Sequence, residues 1–225
     1  MCGRESSPLG LHLRQENPAF RAVMQQQLTI VAMGDSTTAG TPGWKSRVEA
    51  PPSGAGDEKS QYAYWLMQAH PEWMVMNHGV NGERSDQIRG RFERDVVDLA
   101  PQAVVVIAGV NDVYQGREAQ HVIEQLVAMY ERATRVGIRV VAGTIVPYNT
   151  ATPEQNGRMR EINEWIRRFA TDTKHIDFAD TRSAVADSDD SDRLAESPDG
   201  LHPSPEGYRR MAEAIEPALT RILRN

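Results

Sequence analysis

The sequence predicts a layered α/β fold built around a parallel sheet, on three observations. Short apolar runs rich in β-branched residues recur at 28–33, 74–77, 103–108, 138–145 and 175–178. Several are nearly continuous rather than alternating, the pattern of strands covered on both faces. Helix-period segments at 61–70, 85–99, 119–136, 154–170 and 205–223 lie between or after them. Strand and helix therefore alternate, as they must when each parallel strand is reached by a helical crossover. With no internal repeat and no long linker, the 225 residues are expected to form a single domain spanning 1–225, its first 25 residues a polar arm.

Taken in order, each strand runs into small or polar residues. The first, in "IVAMGDSTTAG" (30–40), passes from four apolar residues directly to Gly34, Asp35 and Ser36. The loop that follows, 41–60, is long and rich in proline and glycine. The second strand ends in "NHGVNGERS" (77–85) and the third in "VVVIAGVNDVYQG" (104–116). An acidic loop, 180–200, precedes the last helix, which has Ser204 placed to cap it, Pro205 at its first position and Glu206 in its first turn. Loops this long inside a compact domain are usually functional or disordered. Both should lie at carboxyl ends of strands, where open α/β sheets bind ligands.

Composition narrows the function. Hydrophobic residues make up 40% of the chain and charged residues 25%, enough apolar material for a sizeable core. The net charge of −6 repels a phosphate backbone, which argues against a nucleic-acid partner. No apolar run approaches the ~18 residues of a membrane span. Cys2 is the single cysteine, so neither an internal disulfide nor a cysteine-based zinc site is available. The amino terminus lacks an apolar signal segment, so a cytoplasmic setting is expected, although a mature secreted fragment would read the same. The run 187–192, "DSDDSD", has Asp192 where a calcium loop needs its turn glycine; no metal and no cofactor are assigned.

Ser36 could simply cap a helix, as could Asp35. To act as a nucleophile it needs a base, a group that orients the base, and donors for an oxyanion. "PDGLHPSPEG" (198–207) supplies Asp199 and His202 three residues apart, close enough for the carboxylate to hold one ring nitrogen while the other faces a serine. Of the other histidines, His12 lies in the arm, His70 and His121 fall on helix segments, and His175 begins a strand; His78, in a small-residue loop, is the rival base. Gly79 or Gly82 could bring a backbone N–H to a ligand, and Asn111 could offer its amide to developing negative charge. Trp44, in the loop just after Ser36, offers apolar area to a substrate. Asp35 and Asp112 are read as structural, bonding backbone near strand ends.

Four blocks, "GDS" with Ser36, "GVNGERS" with Gly82, "GVND" with Asn111 and "DGLHP" with Asp199 and His202, occur in that order across residues 34–203. Together they resemble the SGNH hydrolases, also called GDSL-type esterases and lipases. The resemblance implies a three-layer α/β/α sandwich with a flavodoxin-like, mostly parallel sheet of about five strands. It also implies a cofactor-free serine esterase acting on small-molecule esters. Ser36, His202 and Asp199 would form the triad, and the Ser36 and Gly82 N–H groups with the Asn111 amide would receive the oxyanion. The G-x-S-x-G elbow of α/β-hydrolases is absent around Ser36. Two alternatives stay open, a carbohydrate O-deacetylase and a non-catalytic ligand-binding domain. Acyl length, alcohol portion and oligomeric state are not encoded in any pattern found.

Overall fold

Strands in the chain order β1 (Leu28–Gly34), β4 (Trp73–Gly79), β5 (Ala103–Ile107), β6 (Arg139–Gly143) and β7 (Ile176–Ala179) form one sheet with the spatial order β4-β1-β5-β6-β7. All four pairings are parallel. The computed structural model describes residues 27–224; the arm over 1–25, with Cys2 and His12, lies outside the described residues. Two short strands, β2 (Trp44–Lys45) and β3 (Ala55–Gly56), pair antiparallel within the loop after β1. The helices are α1 (Ser36–Ala39), α2 (Tyr62–Ala69), α3 (Ser85–Gly90), α4 (Phe92–Asp95), α5 (Val110–Tyr114), α6 (Ala119–Arg135), α7 (Pro153–Asp172), α8 (Thr181–Val185) and α9 (Pro205–Arg224).

The continuous apolar strands have a direct cause: both sheet faces are covered. Along β1, Val31 and Met33 join a core with residues of α3, α4, α6 and α7, whereas Ile30 and Ala32 join a second core with α2 and α9. On β5, Val104 and Val106 face the first core, and Ala103, Val105 and Ile107 the second. The result is a three-layer α/β/α sandwich, as the resemblance implies. Burial of each such valine, isoleucine or leucine is worth roughly 1.5–3 kcal/mol against exposure, so neither face could be left open.

The chain leaves β1 toward β4, then crosses back to β5 on the other side of β1. Sheet order therefore reverses at β1 and β5, and the carboxyl ends there open a crevice suited to a ligand. The last helix starts as anticipated: Ser204 Oγ accepts the Gly207 N–H at 3.1 Å, with Pro205 as the first helical residue.

One expectation is corrected. The segment 85–99 is not one helix but α3, α4 and a 3₁₀ turn at Val97–Leu99. Backbone at Arg91 (φ −106°, ψ 4°) and Val96 (φ −128°, ψ −60°) leaves the helical region. Gly90 weakens the helix at the first break, and the Arg91 side chain turns inward to bond the Gly34 carbonyl. Tertiary bonding here overrides an amphipathic period.

Candidate active site

β1 ends at Gly34, and the next residue, Asp35, caps α1: its Oδ1 accepts the Thr37 N–H at 2.9 Å. Ser36 is thus the first residue of the helix, not its cap. Asp35 is 1% exposed and its Oδ2 has no hydrogen-bond partner among the described residues. Burial pushes its carboxyl up to about 7; the Thr37 N–H opposes the shift, and Asp112 and Glu83 add to it. An acid whose folded pKa is raised contributes stability that is complete below its unfolded pKa, near ~3.9, and lost as pH rises through the folded value. Asp35→Asn keeps the acceptor for Thr37 but cannot titrate. Between pH 5 and pH 9, wild type should lose roughly 3 kcal/mol relative to this variant. Urea unfolding of both proteins measures the difference; parallel pH trends would mean that Asp35 does not titrate in this interval.

The turn before α9 delivers His202 to Ser36. Its Nε2 lies 2.8 Å from Ser36 Oγ, across 166 residues of sequence. The Nδ1 atom lies 2.7 Å from Asp199 Oδ2. Asp199 Oδ1 accepts the backbone N–H groups of Leu201 (2.9 Å) and His202 (2.8 Å), so the acid shapes the turn as well as facing the ring. Burial raises the Asp199 carboxyl, but the His202 ring and these two N–H groups outweigh it and hold the pKa below the ordinary value. An ionised carboxylate can only accept, so Nδ1 carries a proton, and in a neutral ring Nε2 is then left to accept the Ser36 O–H. Further bonds fix the turn: Ser197 Oγ donates to the His202 carbonyl at 2.7 Å, and the Asn149 N–H donates to the Gly200 carbonyl at 2.7 Å.

Opposite His202, Gly82 and Asn111 border the same cleft, of about 220 Å³. Asn111 Nδ2 donates to the Glu83 carbonyl at 2.9 Å, which leaves its second N–H uncommitted by that bond. Next to it, both Asp112 oxygens accept from Ser85, one from the N–H (2.7 Å) and one from Oγ (2.8 Å). The two glycine candidates separate clearly. The Gly79 N–H donates to Asn77 Oδ1 at 2.9 Å, and a Cβ there would meet the Ala39 backbone nitrogen at 2.1 Å, so this glycine serves strand–helix packing. Gly82 has φ +77°, a left-handed conformation that favours glycine, and borders the cleft. The rival base His78 is buried with its Nδ1 3.9 Å from Asp95, not on Ser36.

The placement of Trp44 is a correction. No residue of 41–60 lines the cleft. The Trp44 ring lies over Gly54 of its own loop, where an added Cβ would come within 2.4 Å of it. The loop is instead fastened around the site, through Ser46 Oγ to the Gly79 carbonyl (2.5 Å), the Asn81 N–H to Glu49 (2.9 Å) and Tyr208 Oη to the Thr41 carbonyl (2.8 Å). The apolar walls come from Val110, Tyr114, Tyr148 and Leu201, which the sequence did not single out. Val110 and Leu201 are sequence neighbours of Asn111 and His202, a signal that could have found them; Tyr148, beyond β6, offered none.

Among the described residues, Asp86, Asp112 and His121 bring ligand atoms within 4.8 Å of one another. Asp112 is committed to Ser85 and Asp86 faces the Arg84 guanidinium at 3.0 and 3.2 Å, so each carboxylate oxygen already has one partner within the protein. The acidic run is likewise internally bonded: Asp187 accepts from the Asp189 and Asp190 N–H groups, and Asp192 pairs with Arg160 and Arg182. No helix of the described residues is long and apolar enough to cross a membrane.

The chain belongs to the GDSL-like lipase/acylhydrolase family, whose model matches residues 32–210. It is 27% identical over 169 residues to an acetylxylan esterase of Geobacillus stearothermophilus, covering 68% of this chain and 77% of that one. It is 25% identical over 221 residues to the uncharacterized lipoprotein YqeF of Bacillus subtilis, covering 83% and 87%. In three dimensions it resembles a member of the lipolytic G-D-S-L family from Veillonella parvula, with TM-score 0.71 and 20% identity over 86% of this chain and 99% of that structure. At that identity the likeness speaks for the fold.

Proposed function

We infer that the protein hydrolyses carboxylic esters of short acyl groups through an acyl-enzyme on Ser36. The observation that carries this reading is the unbroken chain Ser36 Oγ–His202 Nε2–Asp199 Oδ2, opening on a cleft bordered by Gly82 and Asn111. As Ser36 Oγ bonds to the ester carbonyl carbon, its proton passes to His202 Nε2, and Asp199 stabilises the imidazolium. The carbonyl oxygen becomes an oxyanion. It meets the Ser36 N–H, one of the first-turn groups that a helix leaves unpaired, the Gly82 N–H and the free Asn111 amide N–H. His202 then returns the proton to the leaving alcohol. Water repeats the sequence on the acyl-enzyme, releasing the acid and restoring Ser36.

Size supports the short acyl group. A cleft of about 220 Å³ is below the ~300–1,000 Å³ of sites that enclose drug-sized ligands. A second, narrower reading, sugar O-deacetylation, is favoured by the acetylxylan esterase among the relatives. A panel of p-nitrophenyl esters from acetate to palmitate, run beside acetylated sugars, tests both. We expect kcat/KM to fall steeply beyond short chains; highest kcat/KM on palmitate would overturn the acyl assignment. A fluorophosphonate probe should label one serine, Ser36, and absence of labelling would favour a binding domain.

Asn111 gives a sharper test. In folded Asn111→Ala, kcat should drop by ~10²–10³ with KM little changed, because the donor acts on charge that develops in the transition state. Asn111→Asp should be no more active near neutral pH. Its carboxylate has no proton to give, and it would face the Glu83 carbonyl that the amide now satisfies. Near wild-type kcat in the folded Asp variant would remove Asn111 from the oxyanion site.

A further inference from the structure

Arg91 occupies the break between α3 and α4, and its side chain, 9% exposed, points into the protein. Its three nitrogens reach three different parts of the chain. Nη2 donates to the Gly34 carbonyl at 2.9 Å, two residues before Ser36. Nε donates to Glu83 Oε2 at 2.7 Å, and Nη1 to Asp95 Oδ2 at 2.8 Å. The backbone carbonyl of the same Glu83 accepts the Asn111 amide. One buried cation therefore joins the strand end that carries Ser36 to the turn that carries Gly82 and fixes Asn111. Arg91 itself does not line the cleft.

We propose that Arg91 is a positioning residue that sets the spacing between the Ser36 oxygen and the donors at Gly82 and Asn111. The proposal rests on the reading of Ser36 as nucleophile. Buried ion pairs are weak contributors to stability, because desolvation offsets attraction, so stability alone is a poor reason to place a cation here. A planar guanidinium, however, fixes several acceptors in a set geometry. A carbonyl of β1, a carboxylate of the 82–84 turn and a carboxylate of α4 are held at fixed angles by one rigid plane. A lysine ammonium keeps the charge but, on its flexible stem, cannot hold all three in that plane.

Arg91→Lys is therefore the discriminating variant. Misplacement of reacting groups by ~1 Å can cost ~10²-fold, so kcat per folded molecule should fall roughly 10–100-fold, with KM within about twofold. The loss should also be coupled to Asn111. Asn111→Ala costs ~10²–10³-fold in an aligned site, but in the Arg91→Lys background it should cost less than ~10-fold, because the donor is already out of place. Ile166→Ala, on the buried face of α7 and not among the residues that line the cleft, controls for stability: it should lower the melting temperature and leave kcat per folded molecule unchanged. Should Arg91→Lys fail to fold, Glu83→Ala removes one arm of the bridge at a partly exposed side chain and should lower kcat by roughly 3–10-fold. Wild-type kcat in folded Arg91→Lys, or in Glu83→Ala where that is the variant available, overturns the proposal. So do additive penalties with Asn111→Ala, or an equal kcat loss in Ile166→Ala. If Ser36→Ala still hydrolyses esters, the nucleophile reading falls first; if Ser36→Ala is inactive while Arg91→Lys is fully active, only the role of Arg91 falls.

Discussion

Ser36→Ala should lower kcat by on the order of 10⁶ while leaving the melting temperature nearly unchanged. Losing the nucleophile of a serine–histidine pair removes the whole covalent route, and what remains is binding plus oxyanion stabilisation over plain water attack. The fold should tolerate the change, because Ser36 contributes little to it beyond one bond to His202. The helix cap belongs to Asp35, whose acceptor is untouched. Residual turnover must be separated from contaminating host esterases, so single-turnover kinetics with purified variant and parallel fluorophosphonate labelling are the measurements. A folded Ser36→Ala protein with ordinary turnover would end the acyl-enzyme reading.

Asp199→Asn is expected to be the next most damaging change, at ~10²–10⁴ in kcat. The asparagine amide can donate to Nδ1, which invites the tautomer with its proton on Nε2, where it cannot accept from Ser36. The negative charge that stabilises the imidazolium is lost as well. The turn should survive, because the Asn side-chain oxygen can still accept the Leu201 and His202 N–H groups that Asp199 Oδ1 now binds. KM should change little, since the defect lies in proton transfer and not in binding. Kinetics on p-nitrophenyl acetate, with circular dichroism to establish folding, measure the effect. Activity within threefold of wild type would show that His202 works without its acid.

Most of the sheet was legible because burial on both faces writes itself into the sequence as near-continuous runs such as "AVVVI" in β5. Asp199 and His202 were legible for a different reason: a three-residue spacing lets one side chain bond both a ring and the backbone of its own turn. Periodicity failed where a single long-range bond decided the backbone, as at Arg91, whose reach to Gly34 interrupts an amphipathic segment. It also failed for α5 and α8, each of five residues, too short to display a helical period. Nearness in sequence to Ser36 says little about where the Trp44 ring goes; it packs over Gly54 of its own loop and is not among the residues that line the cleft. Tyr148 could not have been found, since only the sheet brings the segment after β6 beside the end of β5.

The bond between His202 and Ser36 joins residues from the two ends of the described chain. On the proposed reading, the nucleophile leaves the ribosome during synthesis long before its base exists. On the same reading, a nascent chain that ends short of residue 202 should carry a serine with no base and should not hydrolyse esters. If that reading holds, regain of turnover after denaturation requires the contact between residues 36 and 202, and closing so long a loop carries an entropic cost. Hydrolysis is therefore a readout of completed assembly: far-ultraviolet ellipticity should recover with the early helices, and ester turnover only when the carboxyl-terminal turn has docked.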